Sequence, residues 1–212
     1  MLGQVIVSGL AMGCIYALIA LGYAYVWNTM AIVNFAAGEF LTFSAFVFVA
    51  TFTTSMHLPF WLAALLTAAV MALLGALFSR LVFARLQRQK ALVAIIATVG
   101  FGIFLKEMAR IIYGPEPLLY ASPFGDGVID VGGLRIPVQQ LVIMVVVVLV
   151  MVLQYLALRY TTIGKVMRAT ALDRETAQLM GIPVNRVLAG TFAFSSVLAA
   201  LAGILLAPLF YV

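Results

Sequence analysis

Charged residues are scarce in this sequence. Lysine, arginine, aspartate and glutamate make up 9% of its 212 residues, whereas soluble domains carry about 25%. Hydrophobic residues make up 66%, and the mean hydropathy is +1.20. One soluble core cannot hide so much apolar surface, and so few charges do not keep a domain soluble. The composition therefore excludes an ordinary soluble domain and indicates an integral membrane protein.

Cysteine and histidine are each reduced to one residue, Cys14 and His57. A single cysteine excludes an intrachain disulfide and a metal cluster built on cysteines. The sequence also has no His-Glu-x-x-His spacing and no nucleophile paired with a base. We therefore expect no catalytic residue, no metal and no cofactor. No basic residue occurs before Arg80, which argues against a secretory signal peptide.

Six apolar runs are long enough for transmembrane helices, which need roughly 17–25 residues. They cover residues 5–27, 30–55, 59–82, 91–112, 138–158 and 187–210. The runs are continuous and do not alternate, which excludes a closed β-barrel. The expected fold is an all-α, polytopic bundle of about six spans in a single domain over residues 1–212.

The basic residues orient this bundle. Twelve basic and seven acidic residues give a net charge of +5, but they are spread between apolar runs, so we expect no nucleic-acid partner. Loops 80–90 and 159–186 hold four and five basic residues, whereas loop 113–137 holds only Arg135 and three acids. The positive-inside rule places the first two loops in the cytoplasm. The N-terminus is then outside, provided that 28–39 is a simple turn.

The outer loop 113–137 contains a hairpin pattern. Two short β-rich runs, 128–131 and 134–136, flank Gly132-Gly133, and such a glycine pair favours a tight hairpin turn. We expect a small extracellular hairpin.

Glu39 is the only charged residue in the first 79 positions. An acid at the centre of a span costs about 2.5–3.5 kcal/mol on insertion scales. Asn34 and Gly38 favour local unwinding beside it, and broken helices at membrane depth line a cavity or are buried in protein. Two interpretations remain open: Glu39 belongs to a pathway or gate, or it caps amides at the break or the interface.

Three more charges, Lys106, Glu107 and Arg110, lie toward the outer end of the fourth span. Glu107 and Arg110 are three residues apart and can pair on one helix face, and Lys106 can extend toward the interface. We interpret this trio as structural.

Small residues recur every four positions on two spans. They are Gly9, Gly13 and Ala17 on the first, and Ala199, Gly203 and Ala207 on the sixth. This spacing allows close approach of helix backbones in membranes, so both stripes are predicted to pack against other helices.

The cytoplasmic segment 159–186 predicts a short helix over residues 171–180. Thr170 is a suitable N-cap, Asp173 lies in the first turn, and Gly181 suits the C′ position before Pro183. One face of this helix is mainly apolar and consists of Leu172, Thr176, Leu179 and Met180. Such a helix lies on the membrane surface or docks into a partner.

Three stretches of the sequence carry distinctive patterns. The first is Gly13-x-x-Tyr16-Ala17-Leu18-x-Ala20-Leu21-Gly22-Tyr23 with Asn34-Phe35-Ala36-x-Gly38-Glu39. The second is Thr98-Val99-Gly100 running on to Tyr113-Gly114-Pro115. The third is Gly164-Lys165-x-Met167-Arg168-Ala169-Thr170-Ala171-x-Asp173-Arg174-Glu175-x-Ala177-x-x-Met180-Gly181-Ile182. Together they resemble the permease subunits of bacterial ABC importers for branched-chain amino acids, over essentially the whole chain.

The resemblance implies a half-pore in the bacterial plasma (inner) membrane, with no ATPase site of its own. It implies four kinds of partner: a second permease in a hetero- or homodimer, two cytoplasmic ATPases, an extracytoplasmic solute-binding protein and the lipid bilayer. The ATPase-coupling loop of the family corresponds here to Leu172, Asp173, Arg174, Glu175, Ala177, Leu179 and Gly181.

Two departures from the family pattern bear on these expectations. Ala37 stands where the family often has histidine, and the chain stops at Val212, where family members usually continue for several helices. The resemblance thus predicts a C-terminally short permease for branched-chain amino acids, or for a related solute such as urea or an amide. The alternatives are an ion-coupled transporter, for which only Glu39 qualifies as a relay acid, and a membrane enzyme, for which no catalytic group is visible.

Overall fold

The computed structural model describes residues 2–30, 32–86, 91–114, 116, 118, 120–125, 127–131 and 134–209. Its six apolar helices are each long enough to span a membrane. These spans are α1 (Leu2–Met30), α2 continued by the π-helix π1 (Ala37–Phe46, Val47–Ser55), α3 continued by the π-helix π2 (Phe60–Phe78, Ser79–Phe83), α5 (Ala91–Tyr113), α6 (Val138–Tyr160) and α9 (Val184–Leu206). The shorter elements are α4 (Ala84–Leu86), β1 (Val128–Val131), β2 (Leu134–Pro137), α7 (Thr162–Leu172) and α8 (Arg174–Leu179). The all-α bundle of six spans is confirmed.

The boundaries differ from the sequence prediction at a few ends. The first helix reaches Met30, and the second begins at Ala37, because residues 32–36 are not helical. The last span begins at Val184, directly after Pro183, which starts helices well because its missing N–H is not needed there. Several predicted features lie outside the described residues: Arg88 and Lys90, Asp126, the Gly132-Gly133 turn, and the last positions from Phe210 to Val212.

Helix α9 is the centre of the bundle. It packs against α1, α2 and α3, while α5 lies against α2 and α6 lies against α1. In an 18-residue apolar stretch of α9, 67% of the residues are buried, whereas in the corresponding stretch of α6 only 17% are buried. The outer helices therefore keep most of their apolar surface for lipid or for other subunits.

Three glycines mark where helices approach α9 most closely. A Cβ atom on Gly75 of α3 would lie 2.7 Å from the Phe192 carbonyl oxygen, and one on Gly22 of α1 would lie 3.2 Å from that of Ser195. On α9 itself, a Cβ atom on Gly203 would lie 2.5 Å from the Leu41 carbonyl oxygen of α2. Gly203 therefore fulfils the packing role that its spacing suggests.

The predicted stripe on α1 behaves differently from the one on α9. Ala199 and Ala207 are buried beside Gly203, whereas Gly9 and Gly13 are exposed, with no atom within 4 Å of an added Cβ. Ala17 is partly buried. The packing prediction for Gly9 and Gly13 is thus wrong within one chain, because α1 meets α9 through Gly22. Spacing alone does not say which side of α1 faces the bundle.

We expect Gly75→Ala to destabilise the bundle and Gly13→Ala to leave it unchanged. The added methyl on α3 meets the backbone of α9, and overpacking of this kind costs about 1–3 kcal/mol. The measurement is the thermal unfolding midpoint in detergent. A midpoint for Gly75→Ala equal to that of Gly13→Ala contradicts this packing.

The outer hairpin lies beside the N-terminal end of α1. β1 and β2 pair antiparallel, as the sequence predicts, and their register places Asp130 opposite Arg135. Gln4 near the start of α1 donates to the carbonyl oxygen of Arg135, and Ser8 hydrogen bonds with Gln140 of α6. The N-terminal end of α1 therefore lies beside the outer loop, in agreement with the orientation counted from the charges.

Candidate functional site: the helix break and the cytoplasmic segment

The break between α1 and α2 is organised by Asn34. This side chain is buried, and its Oδ1 accepts a hydrogen bond of 3.1 Å from the backbone N–H of Ala36. Asparagine favours such local bonds over helix, which explains why the helix restarts only at Ala37. The sequence predicts unwinding at Asn34 and Gly38; the break includes Asn34, whereas Gly38 is already the second residue of α2.

The restart of α2 lies at membrane depth. The Phe35 N–H donates to Thr98 Oγ1 of α5 at 3.3 Å, and the Glu39 Cγ would lie 3.3 Å from a Cβ atom on Gly102. Gly102 is the midpoint of α5, eleven residues and about 16 Å from either end. Glu39 is therefore held close to the centre of the bundle along the membrane normal.

Glu39 occupies the first turn of α2 and is partly exposed. A carboxylate in the first turn interacts favourably with the helix dipole. Among the described residues it forms no ion pair. Both interpretations of Glu39 thus have a structural basis, since the residue lies in the first turn of a helix that starts at membrane depth and is partly exposed.

The cytoplasmic segment contains two helices joined at Asp173, not one helix over residues 171–180. Thr170 is not an N-cap, because it lies inside α7 and its hydroxyl donates to the carbonyl oxygen of Val166. The cap of α7 is Thr161, which accepts from the Gly164 N–H at 3.4 Å. Two competing caps within one segment are the reason for the wrong boundary.

Asp173 is the N-cap of α8. Its carboxylate accepts hydrogen bonds from the Thr176 hydroxyl, the Thr176 N–H and the Glu175 N–H. These bonds, those from Thr176 first, lower the pKa of the Asp173 carboxyl below its ordinary value. The cap is therefore ionised at neutral pH, and its contribution is lost only as the pH falls through that lowered pKa.

Arg174 connects α8 to α1. Its Nη2 and Nε donate to the carbonyl oxygen of Thr29 at 2.7 and 3.2 Å. Thr29 lies in the last turn of α1, which has no basic residue of its own, and a cation is favourable at a helix C-terminus. Burial lowers the pKa of the Arg174 guanidinium, but arginine stays charged in proteins. The cytoplasmic segment is thus hydrogen bonded to the C-terminal end of α1, the helix that precedes the break.

Three large apolar side chains of this segment point away from the bundle. Leu172, Leu179 and Met180 are 88%, 87% and 79% exposed, whereas Ala177 is buried against α9 and its neighbours. Gly181 ends α8 with φ +82°, and the Ile182 N–H donates to the Ala177 carbonyl oxygen at 3.0 Å. This left-handed C′ glycine is as predicted. We call Leu172, Leu179 and Met180 the exposed apolar surface.

Sequence reasoning missed the contact between Arg174 and Thr29, which are 145 positions apart. The available signal was weak: the C-terminal end of α1 lacks a cation, but any of several arginines was a candidate. A cavity of about 580 Å³ lies elsewhere, between the cytoplasmic ends of α6, α7 and α9.

Comparison with known protein families places this architecture. The sequence model of the family described as branched-chain amino acid transport system, permease component, matches residues 5–212. The chain belongs to this permease family. It is similar to the high-affinity branched-chain amino acid transport system permease proteins LivH of Salmonella typhimurium strain LT2 and Escherichia coli K12, and BraD of Pseudomonas aeruginosa. Each is 30% identical over 214 residues, covering 96% of this chain and 70% of the relative. No solved structure matches the chain.

Membership of the family agrees with what the six spans show. The protein is a multi-pass membrane permease of a transport family. The resemblance stated from the three sequence stretches is confirmed.

Proposed function

We propose that this permease is the membrane subunit of an ABC importer in the bacterial plasma membrane. It moves branched-chain amino acids, or a related small polar solute, by alternating access. The relatives with this architecture are named as branched-chain amino acid permeases. The observation that carries the proposal is the arrangement of the cytoplasmic segment. Its exposed apolar surface faces away from the bundle, and its Arg174 is hydrogen bonded to the end of α1.

The exposed apolar surface suits docking to an ATPase. Three large apolar side chains that are about four fifths exposed or more are unfavourable in water and gain free energy when a partner covers them. They lie at the end of the bundle that carries the basic loops, where a cytoplasmic ATPase would be. Two ATPases would bind one such surface on each of two paired permeases, while a solute-binding protein delivers substrate at the hairpin end.

The hydrogen bonds from Arg174 to Thr29 connect ATPase docking to movement of the spans. When the ATPases close, α8 moves with them, and Arg174 passes this displacement to the end of α1. Residues 32–36 follow directly and carry Glu39 at the start of α2, so the break at membrane depth moves with the segment. Rigid-body shifts of this kind change access without local unfolding.

We expect Leu179→Asp to reduce binding of the ATPases about tenfold or more. Burying a leucine contributes about 1.5–3 kcal/mol, and a charge cannot replace it in an apolar contact. The measurement is the amount of ATPase that co-purifies with the permease expressed with its partners. Val128→Asp is a matched control, since Val128 is an exposed apolar residue of the outer hairpin. Unchanged co-purification of the Leu179→Asp variant contradicts the docking proposal.

A further inference from the structure

Charges near the middle of the bundle occur on one side of it. Arg80, Arg159 and Arg186 lie at the cytoplasmic ends of their spans, and Arg110 lies at the outer end of α5. Among the described residues of the spans, the charges nearer the middle of the bundle occur only on α2 and α5: Glu39, Lys106 and Glu107. On α5 both are exposed, and Glu39 is partly exposed. By contrast, α1, α3 and α6 expose apolar residues such as Leu10, Leu73 and Val148 at comparable depth. Because exposed charges are costly against lipid, the side formed by α2 and α5 does not face lipid.

Two of these charges are exposed along the same seam between α2 and α5. Glu39 contacts the position of Gly102, and Lys106 is the next residue outward on that face, four positions and about 6 Å along the helix. Side chains in helices lean toward the N-terminus, and α5 runs from the cytoplasmic end outward. The Cα–Cβ bond of Lys106 is therefore tilted back toward the level of Gly102 and Glu39.

The two charges are not paired with each other. The described structure contains one ion pair, between Glu107 and Arg110 at 3.7 Å, so the Lys106 ammonium and the Glu39 carboxylate are more than 4.0 Å apart. The absent side chain of Gly102 lets Glu39 pack closely against α5, one turn below Lys106. Two opposite charges that lie apart near the middle of the membrane suit a ligand that carries both charges, because each group can bind the ligand group of opposite sign.

We propose that Glu39 and Lys106 form a binding site for the charged groups of a zwitterionic amino acid as it crosses the membrane. The Glu39 carboxylate takes the α-ammonium group, and the Lys106 ammonium takes the α-carboxylate. Val99 and Ile103, exposed on the same side of α5, offer an apolar surface to the side chain. The site rests on the proposed transport function and adds its substrate contacts.

The test is leucine uptake by the complete importer in proteoliposomes, with ATP hydrolysis measured on the same vesicles. Glu39→Gln and Lys106→Met are each expected to lower uptake about tenfold or more, since each removes one charge-assisted contact. ATP hydrolysis stimulated by the leucine-loaded binding protein is expected to stay within about twofold. The matched control is Glu107→Gln combined with Arg110→Gln, which removes a self-contained pair from the same helix and keeps uptake. Lys106→Arg keeps the charge and is expected to retain most of the uptake.

Three outcomes overturn the site. They are unchanged uptake in Glu39→Gln or Lys106→Met, an equal loss of uptake and ATP hydrolysis, and a loss in Lys106→Arg as large as that in Lys106→Met. An equal loss of both activities assigns this side to contact between the two permeases. Failure of the unaltered importer to take up leucine contradicts the proposed function instead, so the two failures are distinguishable.

Discussion

Arg174→Gln is expected to uncouple ATP hydrolysis from uptake. The arginine makes two charge-assisted hydrogen bonds to one carbonyl oxygen at the end of α1. Hydrogen bonds to charged groups contribute about 1.5–3 kcal/mol, and a half-exposed guanidinium delivers the lower part of that range. A loss of about 2 kcal/mol corresponds to about a 30-fold fall in uptake. ATP hydrolysis and ATPase binding are expected to persist, because the exposed apolar surface is untouched.

The control for this variant is Arg168→Gln. Arg168 lies on α7 in the same segment and is exposed, so its loss removes the same charge without releasing α1. Uptake and ATP hydrolysis are both measured in the reconstituted importer. Equal uptake per ATP hydrolysed in the Arg174→Gln and unaltered complexes would show that α1 is not driven through this contact.

Glu175→Arg is expected to abolish ATP-driven uptake while leaving membrane insertion intact. Glu175 is exposed in the first turn of α8, where a negative charge suits the helix dipole. An arginine there reverses the charge beside Arg174 and opposes the helix start, at the surface where we place the ATPase. Docking and helix stability are thus disturbed together. The readouts are uptake by the reconstituted importer and the level of protein in the membrane fraction.

Glu116→Arg is the matched control, because Glu116 is an exposed glutamate of the outer loop. It makes the same change of charge on the opposite side of the membrane and is expected to leave both uptake and the level of protein in the membrane fraction intact. Normal uptake by the Glu175→Arg complex rules out the coupling role of this segment.

The sequence was sufficient for features that depend on local composition. Continuous apolar length predicts a span because no polar backbone group can stay unsatisfied in lipid. The imbalance of basic residues between loops predicts the orientation. The hairpin strands and the left-handed Gly181 follow from turn preferences that act over a few residues. These predictions need no knowledge of which helices are neighbours.

Local residue preferences do not predict where α8 starts. Thr170 and Asp173 are both acceptable caps by residue type, and the choice between them depended on which hydrogen bonds the segment as a whole satisfies. The structure gives Asp173 three donors and leaves Thr170 inside α7.

What the tertiary structure decided is which faces meet. Four-residue spacing predicts close packing on α1 at Gly9, Gly13 and Ala17, but the glycine that faces α9 is Gly22, which lies outside that spacing. The contact of Arg174 with Thr29 joins residues 145 positions apart, and the seam of Glu39 with Gly102 joins two different helices. The sequence by itself determined the spans, their direction and the family pattern, because lipid and turn geometry act on each segment separately. Only the packed bundle fixed the rotation of each helix about its axis, because that rotation depends on every neighbour at once.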